Sequence, residues 1–222
     1  MSEKQYIVIG LGSFGKAVAR NLNDMGNDVL AIDKSMEAVQ EISEYVTHAV
    51  QVDATDEAAL KNLGIRNFDV AIIAIGSNIQ SSIMATLIAK EAGISHIVAK
   101  GNNELHAKVL YKVGVDKVIL PEKDMGARVA HNLVSSNILD YIELASDYSI
   151  MQIETLNKWN GKTLKDLDFR REYGINIIAI KNKGDINISP AADVALNKDD
   201  ILVALGQDEN LKKLEKIIEK DK

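Results

Sequence analysis

Tyr6-Ile7-Val8-Ile9-Gly10-Leu11-Gly12-Ser13-Phe14-Gly15, followed 18 residues later by Asp33 at the end of the apolar run Val29-Leu30-Ala31-Ile32, decides how this chain is read. An unbroken apolar run delivers Gly10 to a tight turn. Gly12 lets backbone approach a diphosphate, and Gly15 allows the next helix to press against the sheet. The phosphate would sit on that helix's N-terminus, where unpaired N–H groups and the positive end of the dipole favour an anion without any basic side chain. At the position of Asp33 a carboxylate can accept both ribose hydroxyls. Three glycines alone could be a structural turn. With a strand before them, a helix after them and an acid at this distance, they specify an adenosine-type nucleotide site.

Working outward, short apolar runs alternate with helical patterns from residue 5 to about 120. The runs are Tyr6–Ile9, Val29–Ile32, Ala49–Val52, Val70–Ile75, Ile97–Ala99 and Val118–Leu120, with helical segments such as Lys16–Met25, Met36–Tyr45, Glu57–Leu63, Ile79–Ala92 and Glu104–Val113 between them. Strands that are apolar throughout are those covered by helices on both faces. The expected fold is therefore α/β: a doubly wound parallel sheet, Rossmann-like, with its ligand crevice where strand order reverses. After Pro121 the rhythm changes. Glu122–Val134 reads as a helix with Met125, Val129, Leu133 and Val134 on one apolar face, and Ile138–Leu144 follows as a second apolar stretch. That face suits either a partner subunit or packing on the first domain. Beyond it, Ser149–Glu154, Ile175–Lys181, Ile186–Ser189 and Ile201–Gly206 read as strands and Asn210–Lys220 as a terminal helix, which makes a smaller α+β lobe. The domains are expected at 1–140 and 141–222, the second small enough to call for dimerisation.

Composition bounds the function. The 222 residues are 46% hydrophobic, enough for an ample core, and carry a net charge of −6. Both halves are acidic when divided at Asp140, and no basic cluster interleaved with aromatics occurs, which argues against a nucleic-acid partner. The absence of Cys excludes thiolate metal sites and cysteine nucleophiles and fits a cytoplasmic setting. The N-terminus has no signal-peptide pattern, and no 18-residue apolar run occurs. His48, His96, His106 and His131 show no metal-ligand spacing. Neither a GxxxxGK[ST] loop, a G-x-S-x-G elbow nor an HExxH motif is present, so no catalytic residue is assigned and a binding module is the expected class.

Other strand-end residues point into the same crevice. Asp53-Ala54-Thr55 follows the third strand, where a carboxylate and backbone amides can read an adenine edge or Thr55 or Asp56 can cap a helix. Ala74-Ile75-Gly76 ends the fourth strand and keeps a passage open beside the phosphates. Lys100 ends the fifth and faces either phosphate or solvent. Glu122 and Asp124, after the sixth, either cap the next helix or coordinate a hard cation.

IGLGSFG, LAIDK, VDATDE, LGIRNFDVAIIAIGSNIQSSI, KVGVDKVILPEKDMG, SNILDYIEL and LDFRREYGINIIAIK together resemble the RCK (regulator of conductance of potassium) proteins, specifically the cytosolic regulatory subunits of Ktr-type bacterial potassium uptake systems and their Trk counterparts. The resemblance implies a first lobe that binds ATP, ADP or NAD(H), held by Gly10, Leu11, Gly12, Ser13, Phe14, Gly15, Asp33, Lys34, Asp53, Ala54, Thr55, Ala74, Ile75 and Gly76, with Lys100 near the phosphates. It implies that Glu122 contributes to a Mg2+ or Ca2+ site at a dimer interface. It also implies dimers assembling into an octameric ring, docked on a membrane potassium transporter subunit at the inner face of the cell membrane. In the second lobe it implies a cyclic di-AMP site at Leu164, Asp168, Arg170, Asn176, Ile177 and Pro190, with Arg170 as a phosphate partner. Ser13 stands where such subunits usually carry an Arg that reaches the neighbouring subunit's terminal phosphate, and Leu164-Lys165 replaces the usual apolar pair. Two rivals remain: a small NAD-dependent oxidoreductase, for which Asp33 would repel a 2′-phosphate, and a solitary nucleotide or cyclic-dinucleotide receptor without a transporter.

Overall fold

The computed structural model describes residues 4–134, 138–145 and 147–219. Three expectations lie partly outside them: the N-terminal reading at residues 1–3, Ser136-Asn137 of the stretch SNILDYIEL, and Lys220 of the terminal helix. The chain forms two compact units, Met1–Lys123 and Asp124–Lys222.

In the first unit strands and helices alternate: β1 (Gln5–Ile9), α1 (Ser13–Asp24), β2 (Asp28–Asp33), α2 (Met36–Ile42), β3 (His48–Gln51), α3 (Glu57–Asn62), β4 (Val70–Ile73), α4 (Ile79–Glu91), β5 (His96–Lys100), α5 (Glu104–Val113) and β6 (Lys117–Ile119). The six strands pair in parallel in the order β3-β2-β1-β4-β5-β6. Strand order reverses between β1 and β4, and there, at the strands' C-terminal ends, such a sheet opens a crevice. The doubly wound fold read from the sequence is the one found, with strand ends differing by a residue or two. Side chains alternate across β1 to feed two cores. Ile7 and Ile9 pack with Leu60 of α3, Ile88 of α4 and Leu110 of α5, while Val8 packs with Ala19 of α1 and Val39 and Ile42 of α2. Burial on both faces explains why these strands carry no polar alternation.

Short polar side chains start most of these helices. Ser35, Asp56, Asn78 and Asn103 accept the N–H groups of Ala38, Ala59, Ser81 and His106. Each satisfies one of the four donors that a helix start leaves unpaired. Helix α1 differs: Gly12 stands at its N-cap, so it has no side-chain cap, and no acid lies in its first turn.

Helix α6 (Pro121–Val134) leads into the second unit, made of β7 (Ile138–Ala145), β8 (Tyr148–Glu154), α7 (Leu164–Leu167), α8 (Phe169–Tyr173), β9 (Ile175–Asn182), β10 (Asp185–Ile188), β11 (Ile201–Gln207) and α9 (Asp208–Glu219). Its five strands form an antiparallel sheet ordered β10-β9-β11-β8-β7. One face is dry, built on Met151, Ile153, Phe169, Leu202, Leu211 and Leu214, with Trp159 edge-on to Phe169 at a centroid distance of 5.1 Å. Strand β7 is an addition to the four expected here. Its residues Tyr141, Ile142, Leu144 and Ala145 fit a helical face as readily as a strand, and as an edge strand it leaves Ile142 and Leu144 exposed. On α6, Met125, Val129 and Leu133 of the expected apolar face are 53%, 48% and 80% exposed. Among the described residues no helix is long and apolar enough to cross a membrane.

Candidate nucleotide site

The glycine turn joins β1 to α1 at the reversal of strand order. Gly10 has a φ of +99°, which an L side chain rarely adopts, and its N–H donates to the Ile32 carbonyl at 2.9 Å. A Cβ on Gly10 would stand 3.0 Å from backbone atoms of Ala74 and Ile75, just beyond β4. At Gly15 a Cβ would meet the Gly10 carbonyl oxygen at 1.9 Å, so α1 rests directly on the turn. Gly12 is different again, with nothing within 4 Å of its Cβ position. The first two glycines named here are demanded by packing, whereas the space beside Gly12 is open. Uncapped N–H groups at an approachable helix start suit a diphosphate.

Asp33 ends β2 beside this turn. One carboxylate oxygen accepts the Leu11 N–H at 2.6 Å and the other the Ser35 N–H at 2.8 Å. Each oxygen keeps a further lone pair, so the group can still receive ribose hydroxyls. Lys34 is exposed, and its carbonyl accepts the Gln51 amide at 2.9 Å. Ser13 is exposed, Leu11 is buried and Phe14 packs against the α1–α2 core.

After β3, Asp53 closes its own loop. Its Oδ1 accepts both the N–H of Thr55 at 2.9 Å and the Thr55 hydroxyl at 2.7 Å, and these bonds hold the carboxyl below its ordinary pKa. Asp56, not Thr55, caps α3. Ala54 is turned into the core.

Beyond β4 Ala74 is buried next to Gly15, and Gly76 lies under Lys100, whose Nζ would be 3.3 Å from a Cβ there. Lys100 is ion-paired with Glu122 at the start of α6. That hydrogen bond is the first cause holding the Glu122 carboxyl below the usual glutamate range. Among the described residues no group of three or more His, Cys, Asp or Glu could hold a metal ion, so a cation at Glu122 would take most of its ligands from elsewhere.

Sequence reasoning missed Asn102. Its amide donates to the Gly76 carbonyl at 2.5 Å, and its N–H donates to His106 Nδ1 at 3.3 Å. It latches the end of β4 to the end of β5. The only hint was an Asn pair before a helix, of which Asn103 is the cap. His106 is 2% exposed, and burial pushes its pKa down. His48 and His96 are exposed, the latter 3.6 Å from Asp116, while the His131 side chain lies outside the described residues.

In the second unit Asp168 sits between α7 and α8 at a φ of +38°, accepting the Arg171 N–H. Arg170 of α8 donates through Nε to Asn176 of β9 at 2.8 Å, which brings two of the six candidate positions together and leaves the rest of the guanidinium for an anion. Leu164 and Ile177 pack on the core of this unit, and Pro190 follows β10.

Two family models match the chain, the TrkA-N domain over residues 6–121 and the TrkA-C domain over residues 151–219. The chain is 46% identical over 214 residues to Ktr system potassium uptake protein C of Bacillus subtilis (strain 168), covering 96% of this chain and 97% of that one. This chain belongs to the family of two-domain Ktr/Trk potassium uptake proteins. To Ktr system potassium uptake protein A of the same organism this family member is 45% identical over 215 residues, 97% of each chain. Its fold is shared with the GsuK channel bound to NAD, at a TM-score of 0.68 and 17% identity, covering 98% of this chain and 40% of that one.

Proposed function

We propose that this chain is the nucleotide-sensing regulatory subunit of a Ktr-type potassium uptake system, acting on a membrane potassium transporter subunit and not as an enzyme. The observation that carries this reading is the glycine turn between β1 and α1, with an uncapped helix start and Asp33 at its side. Full-length similarity to two Ktr uptake proteins supports the transporter. ATP, ADP or NAD(H) would lie across Gly10–Gly15, with its ribose on Asp33, its adenine toward Asp53–Thr55 and its phosphates beside Gly76 and Lys100. Glu122 would contribute to a Mg2+ or Ca2+ site at a dimer interface, where the ion would offset phosphate charge. In the second lobe cyclic di-AMP would place a phosphate on Arg170, near Leu164, Asp168, Asn176, Ile177 and Pro190.

Subunits would dimerise and assemble into an octameric ring at the inner face of the membrane. The exposed Met125, Val129 and Leu133 of α6 supply an apolar face for pairing. Ligand binding shifts such a ring only if it binds one ring shape more tightly than another. Reconstituted potassium flux with the transporter subunit tests the reading. A flux that changes among ATP, ADP and NADH is expected, and one indifferent to all three overturns it.

A further inference from the structure

Lys100 is the last residue of β5, and its side chain is only 14% exposed, whereas its partner Glu122 is 70% exposed. The ammonium lies over Gly76 on its way to that partner. Gly76 adjoins Ile75, whose backbone nitrogen would be 3.0 Å from a Cβ on Gly10. Gly10, Ile75, Gly76 and Lys100 are thus consecutive contacts from the glycine turn to a cation. Lys16 is likewise paired, with Glu41, but its side chain is 31% exposed, and it is Lys100 that lies against Gly76.

The backbone at Lys100 is held by the sheet. Lys100 is in register with Ile119 of β6, and the Gly101 N–H donates to the Ile119 carbonyl at 2.8 Å. Any change of partner is therefore a side-chain movement, which a four-carbon stem permits. The energetics favour exchange. The exposed Glu122 carboxylate regains water readily when the pair parts, while the largely buried Lys100 ammonium gains more from a multiply charged phosphate than from one carboxylate.

Taking the nucleotide reading as given, we propose that Lys100 is a two-position switch: it pins Glu122 at the first turn of α6, and transfers to the phosphates when a nucleotide binds, releasing Glu122. The pinned helix start is the one that leads into the second unit. Nucleotide binding then competes with the pin, so phosphate-bearing ligands and the start of α6 are coupled through one ammonium.

The test is calorimetry on the full chain in chelator, with ATP, ADP and adenosine, on wild type, Glu122→Gln, Lys100→Gln and the double variant. Glu122→Gln is expected to tighten ATP and ADP by about two- to fivefold, the factor corresponding to the pair's worth. Adenosine should be unaffected, Lys100→Gln should weaken both phosphorylated ligands, and the double variant should match Lys100→Gln alone. Unchanged or weaker ATP and ADP binding by Glu122→Gln overturns the switch while leaving the sensor reading intact. An equal gain for adenosine overturns it too. If wild type binds none of the three, both fall.

Discussion

Substituting Gly15 by Ala separates the packing role of the glycine turn from its ligand role. The new Cβ would lie 1.9 Å from the Gly10 carbonyl oxygen and 3.1 Å from the Ala74 Cβ. Relief needs a retreat of at least about 1 Å, since non-bonded carbon contacts are favourable only near 3.5–4.0 Å. Gly10 cannot supply it cheaply. Its N–H is bonded to Ile32, its own Cα faces Ala74 and Ile75, and its φ is +99°. Helix α1 must move off the sheet instead. Overpacking typically costs about 1–3 kcal/mol, and backbone opposition puts this case at the top of that range or above. The better helix propensity of Ala returns about 1 kcal/mol. The net loss is about 2 kcal/mol, a fall in Tm of about 4–8 °C for a chain of this size. Gly12→Ala is the control. Nothing lies within 4 Å of its Cβ position and its φ of −68° suits Ala, so stability should stay within about 0.5 kcal/mol. Nucleotide affinity should nevertheless fall, because the methyl group stands where a diphosphate approaches. Thermal unfolding by circular dichroism and calorimetry with ATP, ADP and NADH read the two variants. A Gly15→Ala protein as stable as wild type would refute the packing argument, and a Gly12→Ala protein with full affinity would refute the ligand argument.

Asp33→Ala should weaken ATP, ADP and NADH together by calorimetry, because the ribose acceptor is shared, and should also cost stability, since the Leu11 N–H loses its acceptor; equal affinities for all three would discard the ribose role. His106 gives a pH dependence. Burial disfavours its charged form, so its folded pKa lies below the unfolded value of about 6.5, and the stability this neutral form carries is present above that pH and lost as pH falls below it. Urea unfolding between pH 7.5 and 5.5 should show that loss, and His106→Gln should flatten it; an identical slope in the variant assigns the dependence elsewhere. Arg170→Ala should weaken cyclic di-AMP binding by calorimetry while leaving ATP binding untouched, and unchanged cyclic di-AMP affinity would remove Arg170 from that site.

Much of this protein was legible because its most specific features are local. Gly10, Gly12 and Gly15 fall within six residues, and the turn they make is set by backbone conformations that the residues themselves impose. Continuous apolar runs such as Val70–Ile73 declare strands covered on both faces, whatever their neighbours. Strand β7 was not legible, since an edge strand with one exposed face needs no clean alternation, and only pairing with β8 distinguishes it from a helix.

The sequence by itself thus determined the alternating α/β order, the glycine turn and the acid at the end of β2, because spacing along the chain encodes periodicity and allowed dihedrals. Only the tertiary structure decided who meets whom. Lys100 and Glu122 are 22 residues apart, and Asn102 and Gly76 are 26 apart. No local rule selects those partners. They meet because parallel pairing of β4, β5 and β6 brings the ends of three strands to one edge, where a charge or an amide takes whichever neighbour the register supplies.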